Sequence, residues 1–595
     1  MSASADWTTG LFTADADAGA RQLALEAASW PAVDDAGRRA FALLVLASLD
    51  AQADGATRLP LARVAARVER LAADDEDRAA AARLAEALAR GAIDPGLQPL
   101  VGAPGDYRPF IVDVGHLYHE RTLRKETRLA EALAGRIRAT ISLAHEAGER
   151  RGEGPSLAAA AATAPDAAGR RWTPSQAAAI DAALSRPFTV ITGGPGTGKT
   201  ALITGIVRAW NALGIPADSI AIAAPTGKAA NRIAEGLPAG RPTPTTLHRL
   251  LGASTAGGLT RGSGFRHHEN HVLPFAGVIV DETSMVGLAL MEQLVRALRP
   301  DARLVLIGDA DQLPAIEVGN VLDDLRPLAV RLTESHRMDP NDPAGAAVFE
   351  AAQAIAAGDL GARGTPAATR VAELPAGGFA CLESGGRPLA AFLEHWTTTH
   401  LAPAPAEVDP DDGPAVAAAL ERQRRVRLLT VTRVGTAGCD RVNATLARRL
   451  GAAAGELAAG TPVVMTRNDH DRGLYNGDQG IVLRARGARP GLVAMFPRGS
   501  ATVAFPLASV RGAIELAYAT TVHRAQGSEL DHAALLLPDQ DLPLLTRELV
   551  YTAVTRVRRS IVVVGKRALL EAAVARPVER SSGLGERLAA LGAFA

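Results

Sequence analysis

The feature that most constrains this chain is a glycine-rich loop between a predicted strand and a predicted helix. The loop runs from Gly193 to Thr200 with the sequence GGPGTGKT, after the apolar run 188–192 and before the helix-prone run 201–207. Glycines let successive backbone N–H groups turn toward phosphate oxygens, Lys199 can neutralise the outer phosphates, and the Thr200 hydroxyl fits a Mg²⁺ position. This pattern predicts a P-loop that binds ATP or GTP. The loop alone does not indicate what hydrolysis drives, because kinases, transporters, GTPases and motors share it.

Length and composition limit the remaining possibilities. A chain of 595 residues is too long for one core and predicts roughly three or four domains. The two cysteines, Cys381 and Cys439, exclude a disulfide scaffold and a four-thiolate zinc site. The segment 1–7 lacks a signal core and no apolar run reaches the roughly 18 residues of a membrane span, so we expect a cytoplasmic protein.

The charge balance bears on nucleic-acid binding. Sixty-four basic residues match sixty-four acidic residues, so bulk charge predicts no passive binding to nucleic acid. A motor that holds nucleic acid in a locally charged channel remains compatible with this balance, because phosphate contacts depend on local charge.

Hydrophobic patterning predicts an α/β protein with several domains. Apolar runs alternate with helical segments at 188–192, 220–224, 278–281 and 304–308, and again at 428–432, 533–537 and 561–564, which indicates two parallel sheets covered by helices. Short strands at 461–466, 480–483, 492–496 and 502–505 indicate a small β-barrel inserted into the second α/β domain. The predicted boundaries are 1–150 for an all-helical N-terminal domain, 151–170 for a linker, 171–345 for the first α/β domain, 346–445 for the start of the second domain with an acidic, proline-rich loop at 402–413, 446–512 for the barrel, and 513–595 for the rest of the second domain and the tail.

Two strand ends carry candidate catalytic groups. Asp281 and Glu282 follow a buried run, and in a P-loop enzyme the first would hold Mg²⁺ while the second would orient and deprotonate the attacking water. A solvated acidic loop is the alternative. Gln312 follows the next run and could hydrogen-bond the γ-phosphate or its water, although a simple turn is a fair competitor.

Two arginines and a glutamine complete the predicted nucleotide site. Arg337 and Arg556 could stabilise the charge of phosphoryl transfer, and Arg556 would do so only when the two domains close. Either arginine could instead form a surface ion pair. Gln176 could clasp adenine through its amide, or it could complete a helix capping box with Thr173. The predicted nucleotide-binding residues are Gln176, Gly193, Gly194, Pro195, Gly196, Thr197, Gly198, Lys199 and Thr200.

The ordered motifs resemble those of superfamily 1 helicases, and more narrowly of superfamily 1B and the RecD family. They run from Gln176 through the P-loop, 224–230, 245–250, 281–282, 308–314, 336–337 and 520–529 to 551–556. The resemblance implies two RecA-like domains, a small SH3-like insertion, ATP and Mg²⁺ as cofactors, and 5′ to 3′ translocation along single-stranded DNA. The segments 109–126 and 580–588 resemble those of the RecD subunit in RecBCD complexes, the alpha subunit of exodeoxyribonuclease V.

That narrower resemblance implies partners and a role. The N-terminal domain would dock on a RecC-type subunit, a RecB-type subunit would supply the nuclease, and the complex would act on DNA ends in double-strand break repair and recombination. We find no convincing nuclease signature in this chain. A stand-alone RecD-like helicase and a nucleotide-binding structural subunit with little turnover remain as alternatives.

Loops after strands of both α/β domains offer hydroxyls and cations that could contact DNA phosphates without reading bases. The candidate DNA-binding residues are Thr226, Lys228, Thr246, His248, Thr521, His523 and Arg524. Each of them alone could equally be a helix cap, a surface polar group or a packing residue. Relatives often have Lys and Ser where this chain has Arg524 and Ala525, which keeps the charge but removes a hydroxyl.

Overall fold

The computed structural model describes residues 7–14, 16–149, 169, 171–237, 242–253, 264–335, 342–360, 367–383, 388–401, 408–453, 455–469, 471–485, 491–498 and 501–594. Arg337, all of the predicted linker 151–170 except residue 169, and part of the acidic loop, 402–407, lie outside these ranges. In the described ranges, none of the helices combines the length and the apolar character that crossing a membrane requires.

The first α/β domain is built on a six-stranded parallel sheet. The strand order is Ala329–Leu332, Phe188–Gly193, Arg303–Gly308, Gly277–Val280, Ile220–Ala224 and Thr245–Thr246. Its α-helices are Pro174–Ser185, Lys199–Ala212, Gly227–Gly236, Leu247–Leu250, Leu288–Ala297 and Val321–Asp324, and its 3₁₀ turns are Ala217–Ser219, Thr283–Met285 and Arg326–Leu328. The central strands are buried along their length because helices cover both faces, as the continuous apolar runs predicted.

The second α/β domain repeats this architecture. Its parallel sheet has the order Ala367–Ala368, Gly378–Glu383, Val557–Gly565, Leu530–Leu536, Val426–Thr430 and Ala519–Thr521. Its α-helices are Pro343–Ala356, Pro388–Trp396, Gly413–Arg424, Cys439–Arg449, Val522–Ala525, Arg547–Thr555 and Arg567–Ala575, with a 3₁₀ turn at Val371–Glu373 and a π-turn at Thr397–Leu401. Helix Pro343–Ala356 packs on this second sheet. The prediction of two α/β domains with parallel sheets is confirmed.

An antiparallel sheet is inserted into the second domain. Its strand order is Ala501–Pro506, Gly491–Arg498, Gln479–Ala485, Pro462–Met465 and Ile514–Leu516, with the short helices Leu507–Val510 and Arg511–Ala513 before the last strand. The last strand lies past the predicted end of the insertion at residue 512. Among the described residues the two end strands are not paired with each other, so closure of this sheet into the predicted small β-barrel is not observed.

The N-terminal domain contains a sheet as well as helices, so the prediction that it is all-helical is wrong. Its helices are Ala18–Ala28, Asp35–Ala53, Leu61–Arg63, Val64–Leu71, Asp75–Ala89 and Glu120–Glu149, and its strand order is Arg58–Pro60, His116–His119, Phe110–Asp113 and Val101–Gly102. Val114 and Gly115 join the two central strands, both with positive φ (+45° and +73°). Such a turn matches the twist of a hairpin, but valine is an unusual residue for it, which hid the hairpin from sequence patterns.

The C-terminal segment leaves the second domain and returns to the first. We call residues 577–594 the C-terminal strap. Its helix Leu584–Ala590 packs against helix Glu120–Glu149. Leu584 and Leu588 join the same buried core as Leu294 of the first α/β domain. The strap therefore ties the N-terminal domain to the first α/β domain.

Candidate nucleotide site and DNA-facing loops

The P-loop has a preformed, tightly bonded conformation. Gly196 and Gly198 adopt left-handed backbone angles, with φ of +75° and +77°, and Lys199 begins the following helix. The Lys199 Nζ donates hydrogen bonds to the carbonyl oxygens of Gly193 and Gly194 at 2.5 and 2.9 Å. The lysine therefore lies along the loop, where its ammonium group faces the space that a phosphate chain would occupy.

Gln176 supports the P-loop from behind. It forms a capping box with Thr173. Its Oε1 accepts from the Thr173 N–H at 3.0 Å, and its buried Nε2 donates to the Thr197 carbonyl at 2.9 Å. The capping interpretation is confirmed, and the amide also joins helix Pro174–Ser185 to the loop. A contact between Gln176 and adenine stays a prediction.

Asp281 and Glu282 lie buried at the end of strand Gly277–Val280. The alternative of a solvated acidic loop is therefore wrong. Burial, and then the neighbouring Glu282 carboxylate, raise the pKa of the Asp281 carboxyl. Among the described residues, Glu282 is one of three non-glycine residues with positive φ, at +52°. Such strained backbone costs about 1–3 kcal/mol and is concentrated at functional sites.

Gln312 presents an unsatisfied oxygen. Its Nε2 donates to Asp309 Oδ2 at 2.8 Å. Its Oε1 is buried and has no hydrogen-bond partner in the described part of the chain. Because a buried carbonyl oxygen without a donor is costly, this atom fits a site that a ligand or its water completes.

The two α/β domains meet at the segment that follows strand Arg303–Gly308. The Leu313 N–H donates to Thr552 Oγ1 at 2.8 Å, and the Leu313 carbonyl accepts from Gln526 Nε2 at 3.1 Å. Tyr551 Oη donates to Asp309 Oδ2 at 3.3 Å. The second domain therefore holds the strand end that carries Gln312.

A cleft of about 570 Å³ lies between the domains. The residues that line it are Pro195, Gly196, Thr197, Gly198, Lys199, Thr200, Arg232, Asp281, Glu282 and Gln312 from the first domain, and Asp342, Gly345, Ser528, Glu529, Thr555, Arg556 and Arg558 from the segment and domain that follow. Arg556 is only 4% exposed, and its Nε donates to the Thr552 carbonyl at 3.3 Å. It is therefore a buried cleft residue and not the surface ion pair considered as an alternative.

Sequence reasoning missed two cations in this cleft. Arg232 lies one turn after Lys228 on helix Gly227–Gly236, and its guanidinium pairs with Glu529 at 2.5 Å across the cleft. Arg558 pairs with the same carboxylate from the second domain. Arg558 is two residues beyond Arg556, but no recognised pattern marked either cation.

The three candidate DNA-binding threonines are all N-caps of helices. Thr226, Thr246 and Thr521 accept hydrogen bonds from backbone N–H groups three residues later, at 3.2, 3.3 and 3.4 Å. The cap interpretation is confirmed for each of them. Their contact with DNA stays a prediction.

The sequences Thr-Thr-Leu-His-Arg at 245–249 and Thr-Thr-Val-His-Arg at 520–524 occupy matching places in the two domains. Each begins on the end strand of its sheet and continues into a one-turn helix. His248 is exposed, with its ring 5.8 Å from that of Phe265. His523 is half-buried, and burial lowers its pKa. The repeated pattern Thr-Thr-x-His-Arg is the sequence signal that marks these two places as equivalent.

Of the two remaining DNA-binding candidates, Arg524 lies at the surface and Lys228 lies between the domains. Arg524 is exposed and pairs with Glu515 at 3.1 Å. Lys228 contacts Ser528 Oγ of the second domain. Burial, and then nearby arginines including Arg427, lower the pKa of Lys228 to about 7. Lys228 therefore lies at the contact between the two domains.

Comparisons with known proteins agree with this geometry. An AAA domain model matches residues 171–372, and a UvrD-like helicase C-terminal domain model matches residues 516–564. The RecBCD enzyme subunit RecD of Mycolicibacterium smegmatis is 39% identical over 69% of this chain and 74% of that protein. The chain belongs to the RecD family of ATP-dependent DNA helicases. The resemblance drawn from the motifs is thereby confirmed.

Other relatives extend the comparison. The RecD subunit of Mycobacterium tuberculosis is 36% identical over 70% of this chain and 73% of that protein. The ATP-dependent RecD2 DNA helicase of Deinococcus radiodurans is 33% identical over 72% of this chain but only 54% of its own length. Among solved structures, Bacteroides Pif1 helicase in complex with ADP-AlF3 and ssDNA covers 66% of this chain and 92% of its own, at 17% identity and a TM-score of 0.36.

Proposed function

We propose that this chain is the 5′ to 3′ DNA translocase subunit of a RecBCD-type helicase–nuclease that acts at double-strand breaks and in recombination. The observation that carries the proposal is the interdomain cleft, which has the P-loop and Glu282 on one wall and Arg556 on the other. Relatives at 36–39% identity are RecD subunits of RecBCD enzymes. A nucleotide bound in this cleft would contact both domains, so its hydrolysis would be coupled to their relative movement.

The proposed chemistry assigns one role to each cleft residue. Lys199 and the P-loop N–H groups bind the phosphates, and Thr200 with Asp281 would hold Mg²⁺. When bound, Mg²⁺ would neutralise charge on the β- and γ-phosphate oxygens. Glu282 orients and deprotonates the attacking water. The Gln312 Oε1, which has no hydrogen-bond partner among the described residues, would accept a hydrogen bond from that water.

The proposed transition-state stabilisers are arginines. Arg556 comes from the second domain, and Arg337 follows the first. A fixed guanidinium disperses the charge that develops on the transferred phosphoryl group. Because Arg556 is already buried in the cleft, small changes in domain separation would change its distance from the γ-phosphate position.

Single-stranded DNA would run over the matching loops of the two domains. Thr226, Thr246 and Thr521 would offer hydroxyls to phosphates, while Lys228 and the repeated His-Arg segments would offer cations and rings. His248, His523 and Arg524 are the members of those segments that we assign to this track. Contacts of this kind bind the backbone without reading sequence.

The partners and location follow from the same proposal. The N-terminal domain would dock on a RecC-type subunit, and a RecB-type subunit would carry the nuclease. The antiparallel insertion would be of the SH3 type, and the complex would work in the cytoplasm on single-stranded DNA and duplex ends.

Co-expression with RecB- and RecC-type subunits, followed by size-exclusion chromatography, tests the assembly. A co-migrating heterotrimer is expected, whereas a monomer that unwinds DNA without them would favour a stand-alone helicase. Translocation on end-blocked single strands tests polarity, and movement toward the 3′ end is expected. An Arg556→Ala variant with unchanged turnover would instead favour a structural nucleotide-binding subunit.

A further inference from the structure

The segment 313–319, which we call the Gln312 loop, is held at its far end by the C-terminal strap. Nη1 of Arg580 lies 2.5 Å from the Ala315 carbonyl oxygen, 3.3 Å from that of Glu317 and 3.2 Å from that of Gly319. One guanidinium therefore contacts three carbonyl groups of a single loop. All three contacts are made by this one nitrogen, whose two N–H groups are shared among the three carbonyl oxygens.

The N-terminal domain also contacts the end of this loop. The Gly319 N–H donates to the Gly55 carbonyl at 2.8 Å. Gly55 has a φ of +87°, and a Cβ placed on it would lie 2.3 Å from the Arg580 Cζ. The guanidinium thus packs directly against the Gly55 backbone. A side chain at position 55 would displace it.

The strap that carries Arg580 is itself firmly docked. The Thr57 N–H donates to the Ser581 carbonyl at 2.9 Å, and Arg58 pairs with Glu586 at 2.5 Å. Since the second domain already holds Leu313 through Thr552 and Gln526, the Gln312 loop is bound at one end by the second domain. Its other end is bound by the strap and the N-terminal domain.

We propose that Arg580 is a positioning residue that sets the placement of Gln312 in the nucleotide cleft through this loop. The second domain, the C-terminal strap and the N-terminal domain thereby all contact the loop that follows Gln312. Arg580 also contributes, after burial, to lowering the pKa of His523.

Arg580→Ala tests the proposal in the full-length protein, alone and with its partner subunits. We expect kcat of DNA-stimulated ATP hydrolysis to fall about tenfold, as small misplacements of catalytic groups do, with KM for ATP changed less than about twofold. Hydrogen exchange of the Gln312 loop amides should rise about tenfold. Arg580→Lys keeps one charged donor nitrogen, which can contact these carbonyls if it reaches them, so it should lose less kcat than Arg580→Ala.

Two pairs of variants, each with a matched control, distinguish a positioning role of Arg580 from general destabilisation of the fold. Glu579 lies on the same strap and forms an exposed ion pair with Arg63 of the N-terminal domain. Glu579→Ala removes this ion pair and should leave kcat and loop exchange unchanged. Gly55→Ala should reproduce the Arg580→Ala effects. Gly91→Ala, at a similar φ of +79° with open space around it, should not.

Equal kcat and equal loop exchange in Arg580→Ala and wild type would overturn the proposal. So would a lowered melting temperature with unchanged kcat, which would make Arg580 merely structural. If Arg580→Ala does not fold, Gly55→Ala decides the question: wild-type kcat and loop exchange in that variant would also overturn the proposal.

Discussion

Glu126 lies at the centre of the contact between the C-terminal strap and the N-terminal domain. It is fully buried, and its carboxylate accepts hydrogen bonds from Tyr118 Oη at 3.2 Å, the Gly583 N–H at 3.1 Å and Arg587 Nε at 3.1 Å. Glu126→Ala would remove all three acceptor contacts and leave Arg587 with Asp113 as its remaining acidic partner. We expect the strap helix Leu584–Ala590 to detach more often.

The magnitude follows from the burial of this ion pair. Breaking a buried pair by removing one partner costs about 3–5 kcal/mol, and because Arg587 is 23% exposed and keeps Asp113, we expect the lower end of that range, about 3 kcal/mol. At about 1.4 kcal/mol for each factor of ten, the protection of the strap helix against hydrogen exchange should fall by roughly 10². Glu126→Gln keeps an acceptor oxygen and loses only the charge, so its effect should be smaller.

Hydrogen exchange measured by mass spectrometry is the suitable assay because it reports local opening in a multidomain chain, where a single unfolding free energy is not defined. Glu131→Ala is the matched control, since Glu131 lies exposed on the same helix. It should leave exchange of the strap unchanged. If Glu126→Ala altered that exchange less than threefold, the burial argument would be wrong.

Three further predictions concern the cleft and the effect of pH. Lys199→Gln should abolish ATP hydrolysis yet leave the melting temperature near that of wild type, because Nζ contacts only loop carbonyls among the described residues; phosphate release and a thermal melt check both. Arg556→Ala should lower kcat by about 10³ with little change in KM, as steady-state kinetics would reveal. Burial lowers the pKa of His119 to about 4, below its value of about 6.5 in an unfolded chain. Stability should therefore fall as pH decreases through that window, since the unfolded chain binds the extra proton; melts at several pH values should show a weaker dependence in His119→Gln.

Much of the first-domain wall of the nucleotide cleft could be predicted from the sequence, because its residues are close together along the chain. The residues of the P-loop are consecutive, and Asp281-Glu282 and Gln312 each end an apolar run, so parallel strand order alone brings them to one edge of a sheet. The hairpin through Val114 was not predictable, because valine disfavours positive φ.

The sequence by itself determined the P-loop, the two parallel sheets and the family, because glycine freedom, strand periodicity and motif order are properties of short segments. Only the tertiary structure decided that Arg556 is buried in the cleft rather than paired on the surface, and that Lys228 faces the second domain. It also decided that Arg580 reaches the Gln312 loop and that Gly583 lies against Glu126. These contacts join residues hundreds of positions apart, and their energies depend on burial, which no local pattern encodes.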